Sequence, residues 1–421
     1  MRTRAVRLYG ANDLRLEEFE LPPLREDEIL VRIVSDSICM STHKLLIQGK
    51  QHKRCPQDVD RHPVIIGHEF AGDIVEVGAR WRDQFAAGQR FAQQPALNWQ
   101  GRLDSPGYSY QFFGGSCTYC VIPPEVMELG CLLPYDGDSY FSASLGEPIS
   151  CVIGGYRACY HTDSHSPGHV MGVKPGGAVL ILGGAGPMGQ AAVEYALAAV
   201  ERPGLVVVTD VDPARLARAS RLTPPELAGG RGVDLRFVNP DDFDQAEAGL
   251  RGLTDGRGYD DVFVFAPIRP LVELGDRLLA FDGCLNFFAG PAQADFKAEI
   301  NLYNTHYGST HLIGTTGGST DDLKEGLALA AAGQIRPAVM VSHIGGIDAI
   351  IPTVTELPRL PGGKKLTYPG VELPLTAIDD FAELGRSDPL FAQLAAACDR
   401  HQGLWNAEAE TILLAARGGR P

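Results

Sequence analysis

Cys39 is followed 29 residues later by His68-Glu69, inside Gly67-His68-Glu69-Phe70, and a further acid, Glu147, stands in Leu145-Gly146-Glu147-Pro148. A thiolate, an imidazole and a carboxylate can hold a zinc ion with one position open, the form of a catalytic rather than a structural zinc site. Each residue alone has a plainer reading: a core cysteine, a satisfied histidine, a surface acid. Context favours the metal set Cys39, His68, Glu69 and Glu147. Cys39 follows a strand-like run, Gly67–Phe70 precedes another, and Glu147 opens a helix pattern.

A second constellation lies far downstream, at Gly184-Ala185-Gly186-Pro187-Met188-Gly189. A lone G-x-G-x-x-G carries little weight, because a glycine-rich turn needs no ligand. Here it follows an apolar run, Ala178–Leu182, and opens an Ala-rich helix pattern over Gln190–Val200. Asp210 closes the next apolar run, at the spacing expected of a ribose contact. Gly184, Gly186 and Gly189 allow a tight turn and close approach to a pyrophosphate, with Pro187 and Met188 opening the helix whose N-terminus receives it. A carboxylate at Asp210 repels a 2′-phosphate, so NAD(H) is favoured over NADP(H), with Arg215 nearby as a partial offset.

The elements that must position these residues differ along the chain. Residues 1–160 read as β-rich, with short runs such as Glu28–Val34 and Gly72–Val77 bounded by Gly, Pro and Asp. Over 161–344 the texture changes to buried strands alternating with helices. Ala178–Leu182, Leu205–Asp210, Asp261–Phe265, Cys284–Phe288 and His311–Gly314 are the strand candidates. That alternation predicts an α/β fold with a parallel sheet and right-handed crossovers. After about 345 the chain reads as irregular and Pro/Gly-rich through Pro358–Gly363. Two helices should close it, one started by Ser387-Asp388-Pro389 and one around Trp405, Ala409, Ile412 and Leu413.

Bulk properties narrow the class. The 421 residues carry 37 basic and 52 acidic side chains, for a net charge of −15. No basic cluster interleaves with aromatics, which argues against a nucleic-acid surface. No apolar run reaches membrane length, and the N-terminus leads into a strand pattern without an apolar signal core. Nine scattered cysteines fit reduced thiols in a cytoplasm better than a disulfide framework.

Several tempting features take the plainer reading. Cys117-x-x-Cys120 reads as part of a strand, where residues i and i+3 point to opposite faces. Cys151 reads as a core thiol, with ligation as a fallback. His306 and His343 lack partner spacing, and Lys364-Lys365 reads as a solvated loop.

These motifs resemble the zinc-dependent medium-chain alcohol dehydrogenases, in the polyol branch that includes sorbitol dehydrogenases, and above all its sugar-phosphate members. Ile38–Lys44, Gly67–Phe70, Gly146-Glu147-Pro148, Gly184–Gly189, Gly314–Asp322 and Trp405–Glu410 carry the likeness, which spans nearly the whole chain. It implies a Rossmann doubly wound sheet set between the two parts of a GroES-like β-rich catalytic domain, 1–160 and 345–421. Cys39 and His68 match zinc ligands. Glu69 matches the acid that binds zinc or supports the site, and Glu147 the acid that replaces a second cysteine. Ser41 matches the hydroxyl that relays the substrate proton.

Three departures stand out. Thr42 replaces an Asp that supports the ligand histidine, Lys44 replaces a relay histidine, and no cysteine lies between Cys55 and Cys117. One catalytic zinc and no structural zinc are therefore expected.

The resulting expectation is hydride exchange between NAD(H) and a secondary alcohol or ketone of a sugar, polyol or cyclitol, in phosphorylated form, by a dimer or tetramer. The alternatives are a non-phosphorylated polyol or cyclitol as substrate, a zinc-free quinone or enone reductase, and a cofactor-binding protein without catalytic zinc. Gly314–Asp322 is expected to shape the substrate pocket.

Overall fold

Ile29–Ile38 is buried along almost its whole length, because its β-branched and leucine side chains pack on both faces of a sheet. In the computed structural model, which describes residues 1–162 and 168–417, this strand is the hub of the first of two units. It pairs antiparallel with Phe70–Val77, Tyr119–Ile122 and Lys364–Tyr368. The eight-stranded sheet continues outward through Arg90–Gln93 and Leu132–Pro134 on one side, and through Val341–Gly346 and Thr376–Ala377 on the other. This unit comprises Met1–Glu147, Leu323–Ala331 and the chain from Val341 on.

Its core is aromatic where the site needs rigidity. Phe70, directly after His68-Glu69, meets Phe91 and Phe113 edge-on, at centroid distances of 6.3 and 5.7 Å. Such pairs add about 0.5–1.5 kcal/mol beyond burial. Gly67 takes φ +88°, and a Cβ there would lie 2.3 Å from Asp36 Oδ2, so the residue before the histidine must be glycine.

The stretch after 345, expected to be irregular, carries strand Lys364–Tyr368, in parallel register with Val341–Gly346, and the short strand Thr376–Ala377. Their short length and the intervening Pro/Gly run hide the strand signal. Tertiary pairing makes the strands. The two C-terminal helices, Pro389–Arg400 and Ala407–Arg417, form as predicted. Asp388 caps the first, accepting from the Leu390 N–H, and Leu390, Phe391, Leu394 and Cys398 are buried. Trp405 precedes the second and donates from Nε1 to Tyr368 Oη at 2.7 Å. Tyr368 donates in turn to Glu410. That carboxylate also accepts the backbone N–H groups of Tyr140 and Phe141 at 2.7 and 2.9 Å, capping helix Tyr140–Ser144.

The second unit, Pro148–Asp322 with Ala332–Met340, holds six parallel strands. Their order is Asp234–Val238, Leu205–Thr209, Ala178–Leu182, Tyr259–Val264, Leu279–Phe287, His311–Gly314. This is the doubly wound order in which the first and fourth strands lie side by side. The central strands are buried without a break, as both faces of a parallel sheet demand. No helix among the described residues is long and apolar enough to cross a membrane.

Candidate metal centre and cofactor loop

Cys39 terminates strand pairing and caps helix Met40–Gln48 in an extended conformation. The turn so formed projects Ser41 back towards the histidine. Ser41 Oγ donates to Cys39 Sγ at 3.0 Å and stands 3.2 Å from His68 Nε2. Tyr108, buried, places its hydroxyl 3.5 Å from the same nitrogen. One ligand atom each from Cys39, His68 and Glu69 lies within 4.8 Å of the others. Glu147 opens helix Gly146–Ala158 and stands outside that close trio, but its carboxyl feels the charges of Glu69, His68 and Cys39.

The electrostatics fit a cation. Burial, then the Glu69 charge, pushes the Cys39 thiol up. Burial and Glu69 likewise push the Glu147 carboxyl up to about 7. Asp36, fully buried near the end of the strand that Cys39 follows, is driven to about 7 by burial. This concentration of suppressed anions is what a dry, ligand-rich pocket looks like before a cation enters. The donor set is one soft thiolate, one imidazole and carboxylates, which suits zinc.

Glu69 behaves differently. Lys364 Nζ donates to Glu69 Oε1 at 2.7 Å and to Oε2, with both side chains buried. Burial alone would raise the Glu69 carboxyl, but the Lys364 charge overrides it and holds the acid below its ordinary range. The reading of Lys364-Lys365 as a solvated loop is therefore overturned. Both lysines are buried in strand Lys364–Tyr368, and Lys365 Nζ donates to Gly363 O at 2.7 Å. The signal available was weak: a lysine pair beside glycines looks the same in a loop and at a buried strand start.

Thr42 offers no carboxylate to His68, whose Nδ1 is buried without a hydrogen-bond partner among the described residues. Gln93 steadies the residue through its backbone instead, donating to His68 O at 3.0 Å. Lys44 is half-buried and burial lowers its pKa, while the His43 ring is tied to Val354 O at 2.8 Å. Cys117 and Cys120 do not sit on opposite faces of a strand. The strand begins at Tyr119, so Cys117 lies ahead of it, and both thiols enter one hydrophobic core.

In the second unit the glycine loop follows strand Ala178–Leu182 and ends at Gly186, the cap of helix Pro187–Ala198. Pro187 takes the first helical position, where its missing N–H costs nothing. Met188 follows it. A Cβ on Gly189 would meet Gly184 O at 2.0 Å, whereas one on Gly186 would meet nothing within 4 Å. Gly189 is therefore needed for helix–strand packing, and Gly186 leaves the open space a pyrophosphate requires. Gly184 N–H donates to Thr209 O at 2.8 Å, tying the loop to the next strand.

Asp210 is buried just beyond that strand and accepts the Asp212 N–H at 3.1 Å. Arg215 stands 3.4 Å from Asp212, on the helix that Asp212 caps. In Gly314–Asp322, Ser319 and Asp322 cap each other at the start of helix Thr320–Ala331, and Asp322 pairs with Arg157.

Comparison with known proteins follows the same division. Residues 25–131 match the alcohol dehydrogenase GroES-like domain, and residues 187–332 the zinc-binding dehydrogenase domain. The chain is 48% identical to the mannitol-1-phosphate 5-dehydrogenase of Aliivibrio fischeri (strain ATCC 700601 / ES114), over 98% of this chain and 97% of that one. It is 47% identical to the L-sorbose 1-phosphate reductase of Klebsiella pneumoniae, with the same coverage. The crystal structure of 2R,3R-butanediol dehydrogenase from Bacillus subtilis superposes with a TM-score of 0.71 at 21% identity, over 87% of this chain and 99% of that one, which speaks to fold alone. The chain belongs to the zinc-dependent medium-chain dehydrogenase/reductase family, in its polyol branch: an alcohol/polyol oxidoreductase of a family that works with zinc and a nicotinamide cofactor.

Proposed function

We propose that the protein exchanges hydride between NAD(H) and a secondary alcohol or ketone of a phosphorylated sugar, polyol or cyclitol. The observation that carries the reading is the grouping of Cys39, His68 and Glu69 around the Ser41 hydroxyl, with Glu147 buried nearby. The phosphorylated substrate rests on the two relatives, whose names specify mannitol 1-phosphate and L-sorbose 1-phosphate. NAD(H) rests on Asp210, whose carboxylate disfavours a 2′-phosphate.

Charge counting assigns the acids. Lys364 neutralises Glu69. The Cys39 thiolate and the Glu147 carboxylate then match the two charges of one zinc ion, with His68 as the neutral third ligand. Glu69 becomes the supporting acid, and its charge is fixed by the lysine. Bound zinc would supply Lewis acidity at the substrate oxygen, and bound NAD(H) the hydride chemistry.

The chain's own residues do the rest. Ser41 Oγ takes the hydroxyl proton as the alcohol is oxidised and returns it when a ketone is reduced. Tyr108, beside His68 Nε2, limits the room around that nitrogen. Ser41 and Glu69 are the catalytic assignments, while Gly184, Gly186, Pro187, Met188, Gly189, Asp210 and Arg215 are those for the cofactor.

Nine cysteines, none of them in a disulfide, support a reducing cytoplasmic setting. A homo-oligomer is supported in the second unit by exposed Phe281 on strand Leu279–Phe287 and by exposed Leu302, Tyr303, Tyr307 and Leu312 on or just ahead of the neighbouring edge strand His311–Gly314. Light scattering tests that assembly. The function is tested by screening ketoses, cyclitol ketones and their phosphates against zinc-loaded protein and NADH. Turnover of a phosphorylated ketose, with little on its free sugar, is expected. Turnover confined to free sugars would move the assignment to a non-phosphorylated polyol or cyclitol.

A further inference from the structure

A second group of ligand-type side chains lies wholly within the nucleotide-binding unit. Cys159 follows helix Gly146–Ala158, His161 sits in strand Tyr160–Thr162, Asp261 in Tyr259–Val264 and Cys284 in Leu279–Phe287. Asp261 and Cys284 are register partners on adjacent parallel strands, so their side chains leave the sheet on one face. The Cys159 and Cys284 sulfurs and an Asp261 oxygen lie within 4.8 Å of one another, and all three residues have zero exposure.

His161 completes the set. Its Nδ1 is 2.9 Å from the backbone oxygen of Asp282, which leaves Nε2 turned inward. Nε2 stands 3.3 Å from Asp261 Oδ1, yet neither atom makes a hydrogen bond among the described residues. For metal–ligand bonds of about 2.0–2.1 Å, the edge of a tetrahedron is roughly 3.3 Å.

The surroundings resemble an outer shell around a metal. A histidine ligand whose other ring nitrogen donates to a backbone carbonyl is the usual arrangement. Asp261 Oδ2 accepts the Lys174 N–H at 2.9 Å, which fixes the carboxylate and leaves Oδ1 for the cluster. The Asn286 amide, which donates to Gly155 O at 2.9 Å, also approaches Cys159 Sγ at 3.9 Å. The nearby Lys174 ammonium is taken by Asp260, and no lysine or arginine among the described residues pairs with Asp261. The only charged partner of this deeply buried carboxylate among the described residues is the His161 ring, and a cation in the cluster would take over that role.

We propose that Cys159, His161, Asp261 and Cys284 bind one borderline-soft divalent cation, of the zinc type, as a structural brace. Asp261 pairs with Val179, near the start of strand Ala178–Leu182, whereas the glycine loop follows the end of that strand. The brace therefore sits at the opposite end of the sheet from the cofactor loop and takes no part in hydride chemistry. It pins the end of helix Gly146–Ala158 and the following short strand to two sheet strands. The expectation of a single metal per chain came from the missing four-cysteine lobe. That argument does not reach this cluster, and the metal count becomes two.

Cobalt titration of metal-free protein carrying Cys39→Ala tests this, because that variant lacks the thiolate of the other centre. One tightly bound Co²⁺ per chain is expected, with a thiolate-to-cobalt absorption band that Zn²⁺ displaces. Adding Cys284→Ala should abolish the band. Should that variant fail to fold, Asp261→Asn keeps the shape and the Lys174 contact, and cobalt affinity should fall at least about tenfold. The proposal is overturned if folded Cys39→Ala protein gives no such band, or a band untouched by changes at Cys284 and Asp261. It is equally overturned if peptide mapping finds Cys159 and Cys284 disulfide-bonded in fresh protein, or if His161→Gln and Asp261→Asn leave cobalt affinity unchanged.

Discussion

The cofactor loop and the metal centre are built in opposite ways. Gly184–Gly189 is one contiguous turn whose function follows from backbone geometry, with Asp210 one strand away. The proposed metal centre gathers Cys39, the adjacent His68-Glu69 and Glu147 from three parts of the chain and relies on Lys364, delivered nearly three hundred residues after Glu69. A contiguous site fails locally when changed. An assembled one fails through charges left without partners.

The largest contrast should come from Cys39→Ala. Turnover should fall on the order of 10³-fold or more, as loss of several kcal/mol of Lewis-acid stabilisation requires, while NADH affinity measured by fluorescence stays within about twofold. Equal loss of both would mean that the two regions are not separable. Lys364→Met comes next. It strands Glu69 as a buried unpaired charge, and urea unfolding should register a loss of about 3–5 kcal/mol. Adding Glu69→Gln should recover much of it, and absence of recovery would refute the charge counting that leaves Glu147 to the metal.

Asp210→Ala should raise the NADP⁺/NAD⁺ ratio of kcat/KM by about 5–30-fold, the effect of removing one like-charge contact worth roughly 1–2 kcal/mol. An unchanged ratio would point to another ribose contact. A smaller effect concerns Glu410, whose carboxyl burial pushes up to about 7 against the lowering pull of hydrogen bonds from Tyr368, Tyr140 and Phe141 and of the Arg90 charge. A raised carboxyl favours the folded state only while protonated. Its contribution is therefore complete below the unfolded value of about 4.5 and is lost as pH rises through about 7. The melting temperature of the wild type relative to Glu410→Gln should drop by a few degrees between pH 5 and 8, and a flat difference would show that the hydrogen bonds hold the charge without cost.

The central strands of the parallel sheet were legible because they are buried on both faces and read as unbroken apolar runs, whereas edge strand Asp234–Val238, half exposed, was not among the candidates. Ala178–Leu182 and His311–Gly314 were bounded to the residue. The grouping of Cys39, His68 and Glu69 was legible because thiol, imidazole and acid flank strand ends. Lys364 was not, since a buried lysine is recognised only by the acid it meets, and that acid is distant in sequence. Asp36 was missed for a related reason: a lone acid in Val34-Ser35-Asp36-Ser37 gives no sign of complete burial. The cluster of Cys159, His161, Asp261 and Cys284 was hidden because no two of its members share a recognisable spacing.

The pairing of Ile38 with Lys365 has a consequence for synthesis. The Asp36–Ile38 end of one edge of the hub strand waits for a partner that the ribosome makes roughly 330 residues later, on the order of tens of seconds at ordinary elongation rates, whereas Ile29–Arg32 on the same edge pairs with the much earlier Tyr119–Ile122. During that interval the end of a buried-type strand is presented to the cell with its hydrogen-bonding groups open, a template for wrong partners. Early termination anywhere before Tyr368 should thus yield aggregates, and a chaperone that shields nascent strands should matter more for this protein than its final stability would suggest.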